Sequence, residues 1–139
     1  MKVIESIWAK IQLAITVLGG ALGYFLGGLD GLLIALIIFV VLDYVTGVMV
    51  AIIDKTLSSE VGFKGIFRKI IIFCLVGVAH IVDENIIGTG AGLRTAIIFF
   101  YLSNEGVSIL ENAALLGLPI PEKLKSVLAQ LRDGEEKTE

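Results

Sequence analysis

The ionisable residues inside apolar runs are the first candidates for chemistry in this chain. Asp43 lies near the middle of the apolar run 32–53, and Thr46 and Gly47 share its face if the run is helical. A lone acid at mid-bilayer costs about 2.5–3.5 kcal/mol on insertion scales, so its carboxyl group must face protein or water. Two interpretations are open: a neutral carboxylic acid bonded to a neighbouring helix, or a polar lining that senses membrane energisation.

A second group consists of His80, Asp83 and Glu84, at positions i, i+3 and i+4 near the end of another apolar run. Residues at this spacing share one helix face. Histidine beside carboxylates can bind a metal ion or relay protons. However, water hydrates such groups cheaply at the end of a run, and the chain has one histidine and no second cluster. We therefore expect no metal and no cofactor.

A third group is a polar stripe in the last apolar run. Tyr101, Glu105, Ser108 and Asn112 share one helical face, and Asn104 lies beside them. Exposing so long a polar stripe to lipid hydrocarbon is unfavourable, so we expect it to face a buried polar seam or a water path. No nucleophile–base pair, phosphate-binding glycine loop or ligand cluster occurs at a standard spacing, so we expect no catalytic residues and no enzyme.

The composition indicates that these groups belong to a membrane protein. Of 139 residues, 56% are hydrophobic and only 18% are charged, and the mean hydropathy is +0.92. A soluble domain averages about 45–50% apolar and roughly 25% charged residues. The net charge of −3 offers no basic field for nucleic acid, which we do not expect as a partner.

Four apolar segments approach the roughly 20 residues that a helix needs to cross a bilayer. They predict an all-α integral membrane protein with two helical hairpins, and their ranges are 11–28, 32–53, 70–87 and 93–110. The third is the weakest, because polar residues occupy its last two turns. We predict a transmembrane domain over 1–112 and a cytoplasmic tail over 113–139, with a short amphipathic helix over 121–132.

The basic residues predict the orientation. With four spans, ten of the eleven Lys and Arg residues lie on one side, and Arg94 is alone on the other. Cytoplasmic loops carry the positive excess, so both termini are expected in the cytoplasm. The loop between the second and third spans, expected over 54–69, then lies there with its basic residues Lys55, Lys64, Arg68 and Lys69.

Small residues recur at every fourth position of the first two segments. Such faces let helix backbones approach closely in lipid. One interpretation is packing of the first span against the second within a chain, and the other is contact between protomers. The residues concerned are Gly19, Gly23, Gly27 and Gly31, and in the second segment Gly47 and Ala51.

Several of these features, in this order, resemble a known family. They are Asp43 with Gly47 and Ala51, the loop 57–69, the run Tyr101–Asn112 and the Gly-Leu-Pro-Ile-Pro stop at 117–121. Over roughly 42–131, the chain is similar to the phage holin family that includes the clostridial toxin-secretion holins.

The resemblance implies a small protein of the bacterial host's cytoplasmic membrane. Such proteins oligomerise and permeabilise that membrane, which releases an endolysin or, in some relatives, a toxin. The bilayer and further copies of the chain would be its partners. The endolysin would be a functional partner without stable contact.

These observations together lead to a hypothesis about gating. Asp43 and the Glu105 stripe are expected to be buried against each other at low density and to line water once protomers rearrange. Three alternatives remain open: a proton-coupled exporter, an intramembrane enzyme using His80 and Asp83, and an accessory membrane protein without a pore. An exporter of this size usually has its key acid in the first helix, whose apolar run is uncharged here.

Overall fold

The computed structural model describes residues 1–127 and Gln130, and the described part is helical apart from short connections. The four main helices are α1 Lys2–Phe25, α2 Gly31–Ile53, α3 Ser59–Val82 and α4 Gly92–Leu115. A π-helical turn, Asp83–Ile87, continues α3. No strand occurs among the described residues, and the predicted all-helical class is confirmed.

Helices α2, α3 and α4 form a three-helix bundle, in which α2 packs most extensively against α4. Its apolar core includes Leu33 and Leu36 of α2, Val76 of α3 and Ile98 of α4, each at most 1% exposed. Many other apolar side chains of the bundle remain exposed. This distribution suits a chain surrounded by lipid, because lipid needs no polar outer face.

Capping residues set the starts of α2 and α3, and the starts of α1 and α3 differ from the prediction, since α1 begins at Lys2 rather than at 11. The Asp30 carboxylate accepts a hydrogen bond from the Leu33 amide, and the Ser58 hydroxyl accepts one from the Val61 amide. Both bonds satisfy amides that a helix leaves unpaired in its first turn. Helix α3 therefore begins at Ser59 rather than at 70, and the loop expected over 54–69 shrinks to 54–58.

Three helices of the described part are long and apolar enough to cross a membrane: Lys2–Phe25, Gly31–Ile53 and Ser59–Ile87. The expectation that the third segment is the weakest was wrong, since the added turns before 70 make it the longest. Helix α4 is not among the three. It carries Arg94 and Glu105, which are 4% and 6% exposed because they face the other helices. A fourth span remains a prediction.

Helix α1 lies apart from the bundle, with no buried residue. It meets α3 near its C-terminal end, where a Cβ atom added to Gly77 would lie 2.1 Å from the Phe25 ring. An added Cβ at Gly19 or Gly23 would have nothing within 4 Å. The structure therefore gives these two glycines no packing partner in α2, contrary to the intramolecular interpretation.

The glycine series ends after Gly23. Gly27 and Gly28 have φ angles of 87° and 99°, a left-handed conformation that glycine adopts without strain, and they form the turn between α1 and α2. Gly31 is the first residue of α2. The four positions thus do not form one face, because the chain leaves the helix in the middle of the series.

The predicted amphipathic helix over 121–132 is described only in part. Residues 122–127 are helical. Its residues 128, 129, 131 and 132 lie outside the described part of the chain.

Candidate functional site: a buried ion triad

Lys69 of α3 lies between two carboxylates from different helices. Its ammonium donates hydrogen bonds to Asp43 of α2 and to Glu105 of α4, with 2.5 Å between Lys69 Nζ and Glu105 Oε2. The carboxylate side chains are 9% and 8% exposed, and the lysine side chain is 19% exposed. We call Asp43, Lys69 and Glu105 the ion triad.

Helix direction brings the ion triad into one layer. Helices α2 and α4 end, and α3 begins, on the side of the α2–α3 loop. Asp43 lies ten residues before Ile53, Lys69 ten residues after Ser59, and Glu105 ten residues before Leu115. At 1.5 Å per residue, the layer lies about 15 Å from these helix ends, deep in the bundle.

Two further side chains of α4 hold Asp43. The Ser108 hydroxyl donates to Asp43 Oδ1 over 2.5 Å, and the Asn112 amide donates to the same oxygen over 3.2 Å. Asn112 Nδ2 also lies 2.9 Å from Thr46 Oγ1. The structure thus brings Asp43 and Thr46 together with the Glu105, Ser108 and Asn112 part of the predicted stripe.

Hydrogen bonds make the buried charges tolerable. Removing an ion from water costs several kcal/mol even after relaxation, and a buried pair recovers this only with good geometry and further hydrogen bonds. Ser108 and Asn112 supply such bonds. No buried side-chain nitrogen or oxygen in the described part lacks a partner. With all three groups ionised, the ion triad has one negative charge in excess. Because this charge is not compensated within the ion triad, its stability depends on whether water or protons reach it.

The other predicted polar residues surround this layer. Tyr101, Asn104 and Arg68 line a cavity of about 560 Å³ beside the ion triad. Gly47 and Ala51 line a smaller cavity of about 240 Å³.

The residues predicted as a basic loop separate in the structure. Lys55, Lys64 and Arg68 are exposed, but Lys69 lies inside the bundle. The loop assignment of Lys64, Arg68 and Lys69 was wrong, because all three lie in α3, which begins at Ser59. Lys69 follows almost three turns after that start.

A second group of buried polar contacts lies at the opposite end of the bundle. The Arg94 guanidinium donates to Asp30 Oδ2 over 2.7 Å and to the carbonyls of Leu26 and Gly28 over 2.6 and 2.9 Å. We call these four residues the turn latch, because they tie α4 to the turn between α1 and α2. The Arg94 guanidinium also lowers the pKa of the Asp30 carboxyl below its ordinary value.

His80 and Glu84 line one cavity of about 540 Å³ beside the turn between α1 and α2, but Asp83 does not join them. Asp83 is 1% exposed and accepts hydrogen bonds from the backbone amides of Leu93 and Arg94, which caps the start of α4. A Cβ atom at Gly27 would lie 2.7 Å from His80 Nδ1. The predicted three-residue cluster therefore does not form, because the α4 amides bind the carboxylate of Asp83.

The sequence contains signals for two contacts that were not predicted from it. Arg94 is the single basic residue near the connection between the last two predicted spans, and a carboxylate was to be expected as its partner. Asp30 lies in the connection between the first two spans, which is on the same side of the membrane in the four-span topology. Lys69 directly precedes an apolar run and was grouped with its charged neighbours, although a helix start before it would place it opposite Asp43.

The bundle defines a class of protein: an all-helical membrane protein whose charged groups are paired inside. The sequence profile of the bacteriophage holin family matches residues 20–133. The chain belongs to this family, as its resemblance predicted.

Curated relatives extend this comparison. An uncharacterized protein of Listeria innocua is 43% identical over 131 residues, covering 91% of this chain and 93% of that protein. An uncharacterized protein of Clostridium perfringens is 43% identical over 129 residues, covering 93% and 98%. A protein of Bacillus phage phi105 described as a probable holin is 37% identical over 100 residues, covering 71% and 73%. No solved structure matches the chain.

Proposed function

We propose that the chain works as a holin: copies accumulate in the bacterial cytoplasmic membrane, assemble, and permeabilise it so that an endolysin or a toxin leaves the cell. Membership of the bacteriophage holin family and the similarity to a probable phage holin support this proposal. The endolysin or toxin makes no stable contact with the chain in this mechanism.

The ion triad is the observation that carries the mechanism. Lys69 holds α2 and α4 together through Asp43 and Glu105. If the helices separated in lipid, these charges would enter hydrocarbon, which is unfavourable by about 2.5–3.5 kcal/mol for each group on insertion scales. Separation therefore becomes favourable only when water replaces the lost contacts. Assembly of many protomers around water provides that condition, and it couples opening to protein density.

The open face of α1 is the proposed contact between protomers. Gly19 and Gly23 have free space beside them, and α1 buries none of its residues within the chain. Close backbone approach at small residues drives helix association in lipid. A Gly23→Leu variant should lose cross-linked oligomers. Ala21→Leu, about 200° away around the helix, is the matched control and should retain them.

The proposed topology has four spans, with both termini and the α2–α3 loop in the cytoplasm. Helix α4 crosses the membrane with its polar residues turned toward the other helices. These residues lower its mean hydropathy without facing lipid. The transmembrane domain then covers 1–112 and the tail 113–139. Cysteine labelling of Lys2→Cys and Lys123→Cys variants from each side tests this arrangement, and opposite sidedness of the two ends would contradict it.

Expression of the chain alone in bacteria tests the function. A holin should leave respiration intact for a delay and then abolish respiration and viability abruptly. Asp43→Asn and Glu105→Gln should each change the length of the delay, because each removes a charge that Lys69 holds.

A gradual decline from the moment of induction would contradict the proposal. Substrate-dependent proton flux in liposomes without leakage of a macromolecular dye would instead favour the exporter. Unchanged timing in both variants would refute the role given to the ion triad.

A further inference from the structure

Two cavities meet at the ion triad. The larger one, about 560 Å³, has the polar side chains Arg68, Tyr101 and Asn104 in its walls. The smaller one, about 240 Å³, reaches Leu57 in the α2–α3 loop and Asn112 near the end of α4. Four residues line both cavities: Asp43, Gly65, Lys69 and Ser108.

Glycines form part of the wall that connects the smaller cavity to the loop side. Gly62 and Gly65 lie one helical turn apart on α3 and face Tyr44. An added Cβ at Gly65 would lie 3.3 Å from the Tyr44 ring, and one at Gly62 would lie 3.5 Å from the Tyr44 hydroxyl. The absence of side chains at these two positions makes room for the Tyr44 ring, and all three residues line the smaller cavity together with Lys69.

A packed apolar layer separates the ion triad from the opposite end of the bundle, where a third cavity of about 540 Å³, lined by Gly27, His80 and Glu84, shares no lining residue with the other two. Leu36, Val76 and Ile98 are fully buried and lie between the ion triad and the turn latch. The smaller cavity lies in the half of the bundle that ends at the α2–α3 loop, and the larger one extends past the ion triad to Ile72 and Tyr101 in the middle of the bundle. The packed layer thus separates Lys69 from the turn-latch end, whereas the smaller cavity extends from Lys69 to Leu57 on the loop side.

The walls are suited to water. Empty protein cavities are apolar, whereas a cavity with room for a water molecule and several polar partners is hydrated. Charged groups inside membrane helices are likewise found facing protein or water-filled space. Both volumes exceed by far the roughly 30 Å³ that one water molecule occupies in the liquid. Lys69, Ser108, Asn104 and Asn112 offer the hydrogen-bonding groups.

We propose that the two cavities form a water-filled vestibule in the single folded protomer, entered from the side of the α2–α3 loop and closed by the packed apolar layer beyond the ion triad. Water, protons and small hydrophilic solutes reach Lys69, Asp43 and Glu105 from that side only. The ion triad thus responds to the solution on the loop side before any assembly takes place. This inference concerns one protomer and does not depend on the formation of a larger lesion.

Cysteine accessibility tests the vestibule. The background is Cys74→Ser, which removes the single cysteine. Asn104→Cys reports on the larger cavity, and Thr56→Cys reports on the loop side. Leu42→Cys is the matched control, because Leu42 adjoins Asp43 at the same depth and is 46% exposed on the outer surface of the bundle. The chain is reconstituted at low density in vesicles of either orientation that retain an enclosed dye.

A membrane-impermeant, positively charged thiosulfonate reagent should modify Asn104→Cys from the side that also modifies Thr56→Cys, at least tenfold faster than Leu42→Cys. The same reagent on the other side should leave Asn104→Cys unmodified. Adding Gly65→Val should slow the reaction at Asn104→Cys about tenfold without changing that at Thr56→Cys, because the new side chain enters the shared wall.

Equal rates at positions 104 and 42, or modification from the other side, would overturn the vestibule. So would a lack of reaction from both sides. Hydroxyl-radical footprinting of the unsubstituted chain provides a measurement that needs no variant. Tyr101 should be oxidised while Leu42 is protected, and the reverse would refute hydration of the cavity. If Thr56→Cys reacted from the outer face of the cell, the cytoplasmic orientation would fail, but the vestibule would stand.

Discussion

Replacement of Lys69 by methionine should be the most destabilising single change in the bundle. Lys69→Met keeps the length of the side chain but removes the ammonium that both Asp43 and Glu105 contact. Deleting one partner of a buried ion pair typically costs about 3–5 kcal/mol, because a charge is left without compensation. Two carboxylates remain here, and protonation of one of them limits the loss. We therefore expect about 3 kcal/mol, the lower end of that range.

The triple variant with Asp43→Asn, Lys69→Met and Glu105→Gln isolates the cause. It has no charge in the layer, and its amides retain hydrogen-bonding capacity toward Ser108. Replacing a whole buried ion cluster by neutral groups is often tolerated, so the triple variant should recover more than half of the loss. Lys64→Met is the control, since Lys64 is exposed, and such surface changes usually stay within about 0.5 kcal/mol.

The measurement is the free energy of unfolding in mixed detergent micelles, titrated with a denaturing detergent. A Lys69→Met variant within about 0.5 kcal/mol of the unsubstituted chain, the range of ordinary surface changes, would refute the assignment of Lys69 as the bridge between α2 and α4. A triple variant less stable than Lys69→Met alone would refute the argument that unpaired charge is the cause.

Two further predictions concern the attachment of α1 and the turn latch. Gly77→Ala should lower the stability of the contact between α1 and α3 by about 1–3 kcal/mol, because its Cβ would overlap the Phe25 ring. Gly19→Ala is the control and should not lower it, because an added Cβ there meets no atom. Cysteine cross-linking between α1 and α3 measures the contact, and an equal loss of cross-linking in both variants would contradict the packing. Asp30→Asn should lower the thermal midpoint in detergent at neutral pH. Because Arg94 lowers the pKa of Asp30 in the folded chain, that difference should be full above the ordinary value of about 3.9 and fade as the pH falls below it; a difference that stayed constant down to pH 2 would contradict the ion pair.

The sequence predicted the class of fold and much of α2 for a simple reason. The run 32–53 is apolar almost throughout, so its length and the length of the helix Gly31–Ile53 coincide. The starts of α1 and α3 were less predictable, because these helices continue through polar residues that an apolar run excludes. Ser58 is a recognisable capping residue, but many serines are not caps. The cap at Ser58 sets the start of α3, and the contact of Lys69 stabilises the helix ten residues further on.

The sequence predicted the two acids of the ion triad but not its lysine. Asp43 and Glu105 stood out as acids in apolar runs, and a shared polar seam was expected. Their counter-ion was not found, because a lysine beside three other basic residues indicates a surface loop in most membrane proteins. The His80 group was predicted only in part: His80 and Glu84 line one cavity, but the carboxylate of Asp83 accepts hydrogen bonds from the α4 amides of Leu93 and Arg94.

The weak attachment of α1 has a consequence for tolerance to mutation. A side chain that touches only lipid can be exchanged for another apolar one without repacking a neighbour. Over most of α1, apolar substitutions should therefore have little effect on stability. Phe25 and the residues of the turn latch tolerate fewer changes, because they contact the bundle. Substitutions in most of the first helix therefore leave the packing of α2, α3 and α4 intact.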